Sequence, residues 1–259
     1  MINFQVPQTD IQILLMILVR VLAIFMSLPM FNSRHLPMAF KAGFAVSISV
    51  LLFPVLKLQS IPLAGNLLTL GLGVGSEVLL GLSIGMFIRM LFAGVQLAGQ
   101  LAGYQMGMSI ANVLDPSTNA QVSLPAQFYS LFAVLIFITT NAHYWFIDAL
   151  VQSFQIVPPF GFHLSPTLLD SLVRTSANIF IIGLRVGAPV IVALLLTSVT
   201  LGLLARATPQ MNVFFVAMPV KILIGLVFIM ISLPYLTVYL NRLFGDLTEL
   251  IMGMLKAAP

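Results

Sequence analysis

The sequence predicts an all-α, polytopic integral membrane protein, and three observations carry that reading. Hydrophobic residues make up 60% of the chain and charged residues 7%, against roughly a quarter charged in a soluble domain. The mean hydropathy is +1.10. Apolar runs long enough for a bilayer core recur along the chain, and the polar–apolar alternation of a strand appears nowhere.

The same composition excludes several functions. The net charge of +4 comes from singly scattered basic residues with no run and no interleaved aromatics, so nucleic acid is not implied. The chain has no cysteine, which removes disulfides, thiolate metal sites and a thiol nucleophile together. The opening MINFQVPQTD lacks a positive n-region and a small-residue cleavage site, and so does not read as a removable signal peptide.

Ile11 to Met30 is the first apolar run, with Arg20 at its centre, where a charge costs about 2.5–3.5 kcal/mol on insertion scales. The polar stretch Phe31 to Pro37 breaks it. Phe40 to Val55 is the second run, closed by Pro54 and Lys57, and residues 58–66 form a loop. Leu67 to Met90 is the third, rich in glycine and carrying Glu77 and Arg89. Leu124 to Thr140 follows, broken at Asn141-Ala142-His143. Tyr144 to Val157 is shorter, holds Asp148, and stops at Pro158-Pro159. From Leu164 to Arg185, the charges Asp170, Arg174 and Arg185 fall among Leu168, Leu169, Leu172 and Val173, an amphipathic pattern.

The last third reads as a helical hairpin. Pro189 opens a run to Ala205, since proline suits a helix's first turn. Residues 206–212 form the turn. Pro219 and Lys221 precede a run to Leu233, with Pro234 expected to kink a helix that continues towards Met254. Arg206 and Lys221, flanking the turn, favour the cytoplasmic side for it. So many charges near the centres of apolar runs point to helices that face protein partners more than lipid.

The stretch that organises the chain runs from Gly85 to Ser123. Gly99, Gly103, Gly107 and Ala111 recur every fourth residue and line one side of a helix, which lets a second backbone approach closely. Leu97, Leu101, Tyr104 and Met108 give the other side its bulk. Gln96, Gln100 and Gln105 add amides that, in apolar surroundings, need partners on neighbouring helices. The pattern stops at residues 112–119, where Asp115-Pro116 and the small polar residues after it are turn chemistry. Around that loop Met106, Met108, Ile110, Val113 and Leu114 are bulky or adaptable apolar groups. A loop that seals and then yields would use such residues, whereas the bland reading is an exposed surface loop.

Other motifs are weaker. Gly81-Leu82-Ser83-Ile84-Gly85 matches the G-x-S-x-G pattern of serine hydrolases, but it lies in a glycine-rich helical run rather than at a strand-to-helix turn, so packing is the simpler reading. His143 and Asp148 could form a base with its orienter. Beside Tyr144 and Trp145, His143 reads more simply as part of an interfacial aromatic belt. The histidines are scattered, so no metal site and no cofactor is proposed.

The segment LLARATPQMNVFFVAMPVK, Leu203 to Lys221, resembles the C-terminal signature of the FliR family of flagellar type III export-gate proteins. Gly94 to Pro116, ending in Asp-Pro, resembles that family's central region, and Asn141-Ala142-His143 lies where the family often has Asn-Gly-His. Ala142 and Ala217 depart from the pattern by standing where glycine is expected, small for small. Ala188-Pro189 with the runs VALLLT, ARATPQMN and MPVKI is similar to the small hairpin subunit FliQ. The resemblance implies a FliP-like helical core over residues 1–180, carrying a central plug loop at about 106–117, joined to a FliQ-like hairpin over 181–259.

It further implies a non-enzymatic subunit that assembles with FliP and FliQ into a gate in the bacterial inner membrane at the flagellar basal body, extending towards the periplasm. Unfolded flagellar subunits would pass through that gate. The plug would comprise Met106, Met108, Ile110, Ala111, Asn112, Val113, Leu114, Asp115 and Pro116. The turn holding Arg206, Pro209, Gln210, Met211 and Asn212, with Lys221 beyond it, would lie near FlhB, with FlhA a further partner. The injectisome counterpart SctT shares fold and role. Readings of other classes are a secondary transporter, which calls for inverted repeats that the sequence does not display, and an intramembrane serine hydrolase at Ser83.

Overall fold

The computed structural model describes residues 7–28, 31, 36–56, 66–108, 123–162, 165–208, 210 and 212–256. Among them are seven helices and no strand: α1 (Gln8–Ser27), α2 (Met38–Leu56), α3 (Leu67–Gln105), α4 (Leu124–Thr139), α5 (Ala142–Ile156), α6 (Pro166–Ala207) and α7 (Val213–Lys256). Helices α1, α2, α3, α6 and α7 contain stretches long and apolar enough to cross a membrane. The all-α membrane architecture expected from composition is the one found.

Three boundaries differ from the sequence reading. The third apolar run and the small-residue helix are one helix, α3, because nothing between Leu67 and Gln105 offers a breaker stronger than glycine. The amphipathic stretch and the run after Pro189 are likewise one helix, α6, with Pro189 in its interior rather than at its start. Pro219 lies inside α7 rather than ahead of it, while Pro234 lies within that helix as expected. Prolines are tolerated inside apolar helices where neighbouring groups satisfy the freed carbonyls. The expected break at Asn141 is real: its backbone is left-handed, with φ 56° and ψ 25°, which asparagine adopts more readily than most residues.

The chain forms two compact units, one of residues 1–90, 141–176 and 244–259, the other of 91–140 and 177–243. In the first, α1 packs on α2 and α2 on α5. An aromatic cluster joins them: the Phe25 ring meets Phe31, Phe44 and Phe146 edge-on at 5.1, 5.3 and 5.6 Å between centroids. Gly81 and Gly85 of α3 face α1, where a Cβ at either position would collide with Ala23 or Ser27. The Ser83 hydroxyl donates to the Leu79 carbonyl one turn back at 2.8 Å. The GLSIG run is thus a helix–helix contact surface.

Arg20 is the chemical centre of this unit. Its side chain is fully buried, as is that of Glu77 on α3, and the two form a salt bridge. The guanidinium Nε donates to Glu77 Oε2, and Nη2 donates to Glu77 Oε1 at 3.0 Å. Nη2 also donates to the Val157 carbonyl at 2.9 Å, while Nη1 donates to the Ser153 carbonyl at 2.9 Å and to Ser153 Oγ at 3.3 Å. The Phe154 ring lies 4.0 Å below the guanidinium carbon. All five N–H groups of the arginine are matched. The two carbonyls belong to the C-terminal end of α5, where the helix leaves acceptors unpaired and favours a cation.

Removing one partner leaves an uncompensated buried charge, so Arg20→Met is expected to cost about 3–5 kcal/mol. The double substitution Arg20→Met with Glu77→Met should recover most of that loss. Thermal unfolding in detergent, read with the yield of monodisperse protein, checks both; an additive double variant would refute the pairing.

Candidate functional site

The second unit is built around the C-terminal part of α3. Seen from Gly99 and Gly103, the expected close approach is present. A Cβ on Gly99 would strike the backbone of Ala126, and one on Gly103 would come within 2.8 Å of the Ser123 side chain. Both neighbours belong to the start of α4. Ser123 is the N-cap of that helix: its hydroxyl accepts from the Ala126 N–H and donates to the Gly99 carbonyl, each at 3.4 Å. Pro125 sits in the first turn, where no N–H is needed.

α3 is also bare on a second side, facing α6. The Cβ that Gly94 lacks would fall on Ile182, Gly183 leaves room for Leu97, and Gly187 lies against Ala98. Gly183 and Gly187, four residues apart, carry the small-xxx-small spacing, which is the signal in the sequence for this contact. Across a third contact Gly225 of α7 makes room for Met106, whose side chain is fully buried.

Gly107 corrects the expected four-residue row. It does not pack a second helix, because α3 ends at Gln105 and Gly107 has a φ of 81°. Its N–H donates to the Tyr104 carbonyl at 3.1 Å, and the Met108 N–H donates to the Gly103 carbonyl at 3.1 Å. This pair of bonds is a Schellman cap, which needs a left-handed residue that glycine supplies without strain. Met106, expected in the plug, is packed inside the unit against α7, and Met108 is half-buried. Ile110, Ala111, Asn112, Val113, Leu114, Asp115 and Pro116 lie outside the described residues. The chain leaves at Met108 and re-enters at Ser123, which contacts Gly103 one turn before the cap.

Gln96 and Gln100 stand one turn apart and half-buried, with Tyr104 exposed on the next turn. Neither they nor Gln105, also half-buried, make a side-chain hydrogen bond among the described residues. At the other proposed surface, Arg206 lies in the last turn of α6, and Arg206, Gln210 and Asn212 are exposed. Asn212 starts α7, its carbonyl accepting from the Phe215 N–H at 3.1 Å. Pro209 and Met211 lie outside the described residues. Lys221 is not in the turn itself: it sits about two helical turns into α7 and is half-buried. His143 and Asp148 do not pair. Asp148 accepts from Gln152 at 2.6 Å, and the His143 ring lies 4.4 Å from that of Tyr144 with its Nδ1 buried and unmatched among the described residues.

A family model described as "Bacterial export proteins, family 1" matches residues 11–247. The chain belongs to this family. The flagellar biosynthetic protein FliR of Bacillus subtilis is 32% identical over 248 residues, covering 93% of each chain. That of Escherichia coli is 30% identical over 242 residues, covering 93% of this chain and 92% of its own. The Caulobacter vibrioides FliR is 29% identical, covering 91% and 94%. The match to residues 11–247 takes in the ridge, the segment after it and the turn at Arg206 alike.

The packing distances rank the glycines of α3. Gly99→Ala, which meets backbone, should destabilise by about 1–3 kcal/mol. Gly71→Ala, with nothing within 4 Å, should be neutral or stabilise by up to about 1 kcal/mol. Melting temperatures of the two variants in the same detergent decide the ranking.

Proposed function

We propose that this chain is a non-enzymatic subunit of the flagellar type III export gate, and that the segment leaving the ridge at Met108 helps close a protein-conducting channel. The observation that carries the proposal is the ridge itself, in a chain of a family whose relatives are named flagellar biosynthetic protein FliR. α3 is held by glycine contacts to α4 and α6 and by Met106 to α7, and it ends in a cap beside the point where the chain returns. A closure element needs a rigid mount of that kind. A pore wide enough for an extended polypeptide leaks ions unless apolar side chains exclude water from it at rest. Ile110, Val113 and Leu114 supply such groups, and Asn112, Asp115 and Pro116 supply the turn.

FliP and FliQ are the proposed partners of the helical faces, in the bacterial inner membrane with the assembly reaching towards the periplasm. FlhB is proposed at the turn from Arg206 to Asn212, with FlhA a further partner. Residues 1–180 are read as FliP-like and 181–259 as FliQ-like. Unpaired amides in an apolar setting call for a protein or aqueous neighbour, so the Gln96–Gln100–Tyr104 row is assigned to a partner helix or the conduit. The flagellar system is favoured over the injectisome because the matched relatives carry the flagellar name.

Deleting residues 110–116 should make cells that express the gate permeable to small solutes while the chain still co-purifies with FliP. A tight membrane with normal export would overturn the plug assignment. Arg206→Glu, an exposed charge reversal, should reduce motility severalfold without lowering the amount of assembled gate; swimming assays and co-purification read the two effects separately.

A further inference from the structure

Between Gly73 and Met90 the exposed residues of α3 are Gly75, Leu79, Leu82, Met86 and Arg89, and every other residue there is buried or half-buried. The five are spaced alternately four and three residues apart. We infer that this line is a docking seam for one helix of a neighbouring subunit, and that the helix brings a carboxylate to Arg89. The inference rests on the chain being one subunit of a helical assembly, and not on what the segment after Met108 does.

Width gives the first argument. At 100° per residue, the five positions lie within about 80° of one another around the helix. α2, in the same unit, is different: its exposed Val46 and Val55 stand about 180° apart, with Val50 and Leu51 exposed between them. A helix open over half its circumference suits a continuous medium. A helix enclosed except for a strip one side chain wide lacks one neighbour.

Period gives the second. A mean spacing of about 3.5 residues is that of a coiled-coil seam, which a second helix follows by winding around the first. The same alternation reaches back to Leu72 and Leu68, both exposed. Gly75 interrupts the row of large side chains, and a Cβ there would meet nothing within 4 Å. A large apolar side chain of the incoming helix fits that place, as a knob fits a hole.

Charge gives the third and identifies the occupant. Arg89 is exposed and has no hydrogen bond or acidic partner among the described residues. It continues the line directly after Leu82 and Met86. Lipid tails offer a guanidinium no acceptor. A purely apolar helix laid over it would leave a covered charge uncompensated, whereas an aspartate or glutamate meets the guanidinium fork in two-point geometry. One charged pair in a seam also selects a register, which leucines alone do not. Gly75 and Arg89 are two heptads apart, so the knob and the carboxylate of the partner helix lie about 21 Å apart along its axis.

The test uses the gate purified after co-expression with FliP and FliQ, carrying the photo-crosslinker benzoylphenylalanine at Leu82 of this chain. Irradiation should join Leu82 to a helix of one of those subunits, and the joined peptide should hold an aspartate or glutamate about one heptad from the crosslink. Arg89→Glu should lower the FliP and FliQ recovered with the chain about tenfold. Arg89→Lys should keep most of the recovery, and reversing the partner's carboxylate to lysine should restore it in Arg89→Glu. Arg174→Glu alters an exposed arginine already paired with Asp170 and should change nothing; an equal loss there marks diffuse charge attraction and would overturn the inference. Unchanged recovery in Arg89→Glu would overturn it, as would adducts with lipid alone, or none, at Leu82 in a gate that retains FliP and FliQ. Those results leave the proposed function standing. An unaltered chain that recovers neither subunit would overturn both.

Discussion

The first unit depends on one buried arginine. Arg20 sits in the middle of an apolar helix, and every N–H it carries has an acceptor: the Glu77 carboxylate on α3, and the carbonyls of Ser153 and Val157 with the Ser153 hydroxyl at the end of α5. Such a set has little tolerance for sliding. A helix that slipped by one turn would move about 5.4 Å, and each bond would be lost in a setting where water cannot replace it. Dispersion between apolar faces has no comparable register, since one leucine row packs nearly as well one turn along. The ion pair thus fixes α1, α3 and α5 axially, and the Phe25 cluster and the Gly81 and Gly85 contacts fix their separation. Phe154 beneath the guanidinium supplies the face of the site that hydrogen bonds leave open.

Part of this was legible in the sequence and part was not, for physical reasons. A charge at position 20 of an apolar run announces that it needs a partner. Which partner depends on chain topology, with Glu77 separated by 57 residues and Ser153 by 133. The break at Asn141 was legible because asparagine tolerates the left-handed backbone found there. Pro189 was misread as a helix start because the rule for soluble helices treats an interior proline as a breaker, whereas apolar helices packed together absorb it. The glycine row was half legible. Gly99 and Gly103 pack as their spacing suggests, but the same spacing extends to Gly107, whose work is to cap the helix. Only its φ of 81° separates the two roles, and a one-dimensional period carries no backbone angle. Met106, an adaptable side chain next to the loop, fills the dent at Gly225, a contact that no period in the sequence announces.

The second unit divides its surfaces by chemistry. Where α3 meets α4 and α6, small residues bring backbones together. Such contacts suit an apolar medium, in which helix association draws on packing rather than on expulsion of water. The outward faces of α6 and α7 differ, with Leu184, Leu195, Val199, Leu223, Met230, Ile231 and Val238 exposed. Lipid or an apolar partner covers such a face at no cost. The Gln96 and Gln100 amides cannot be covered that way, since each amide turned to hydrocarbon forfeits hydrogen bonds worth more than the dispersion it gains. That row calls for polar neighbours, and it lies on the turns of α3 that lead to the cap at Gly107. A subunit that only needed to sit in a bilayer would gain stability by replacing those amides with leucine. Their place on α3 puts this polar row and the Schellman cap at Gly107 on one helix, held by the same glycine contacts.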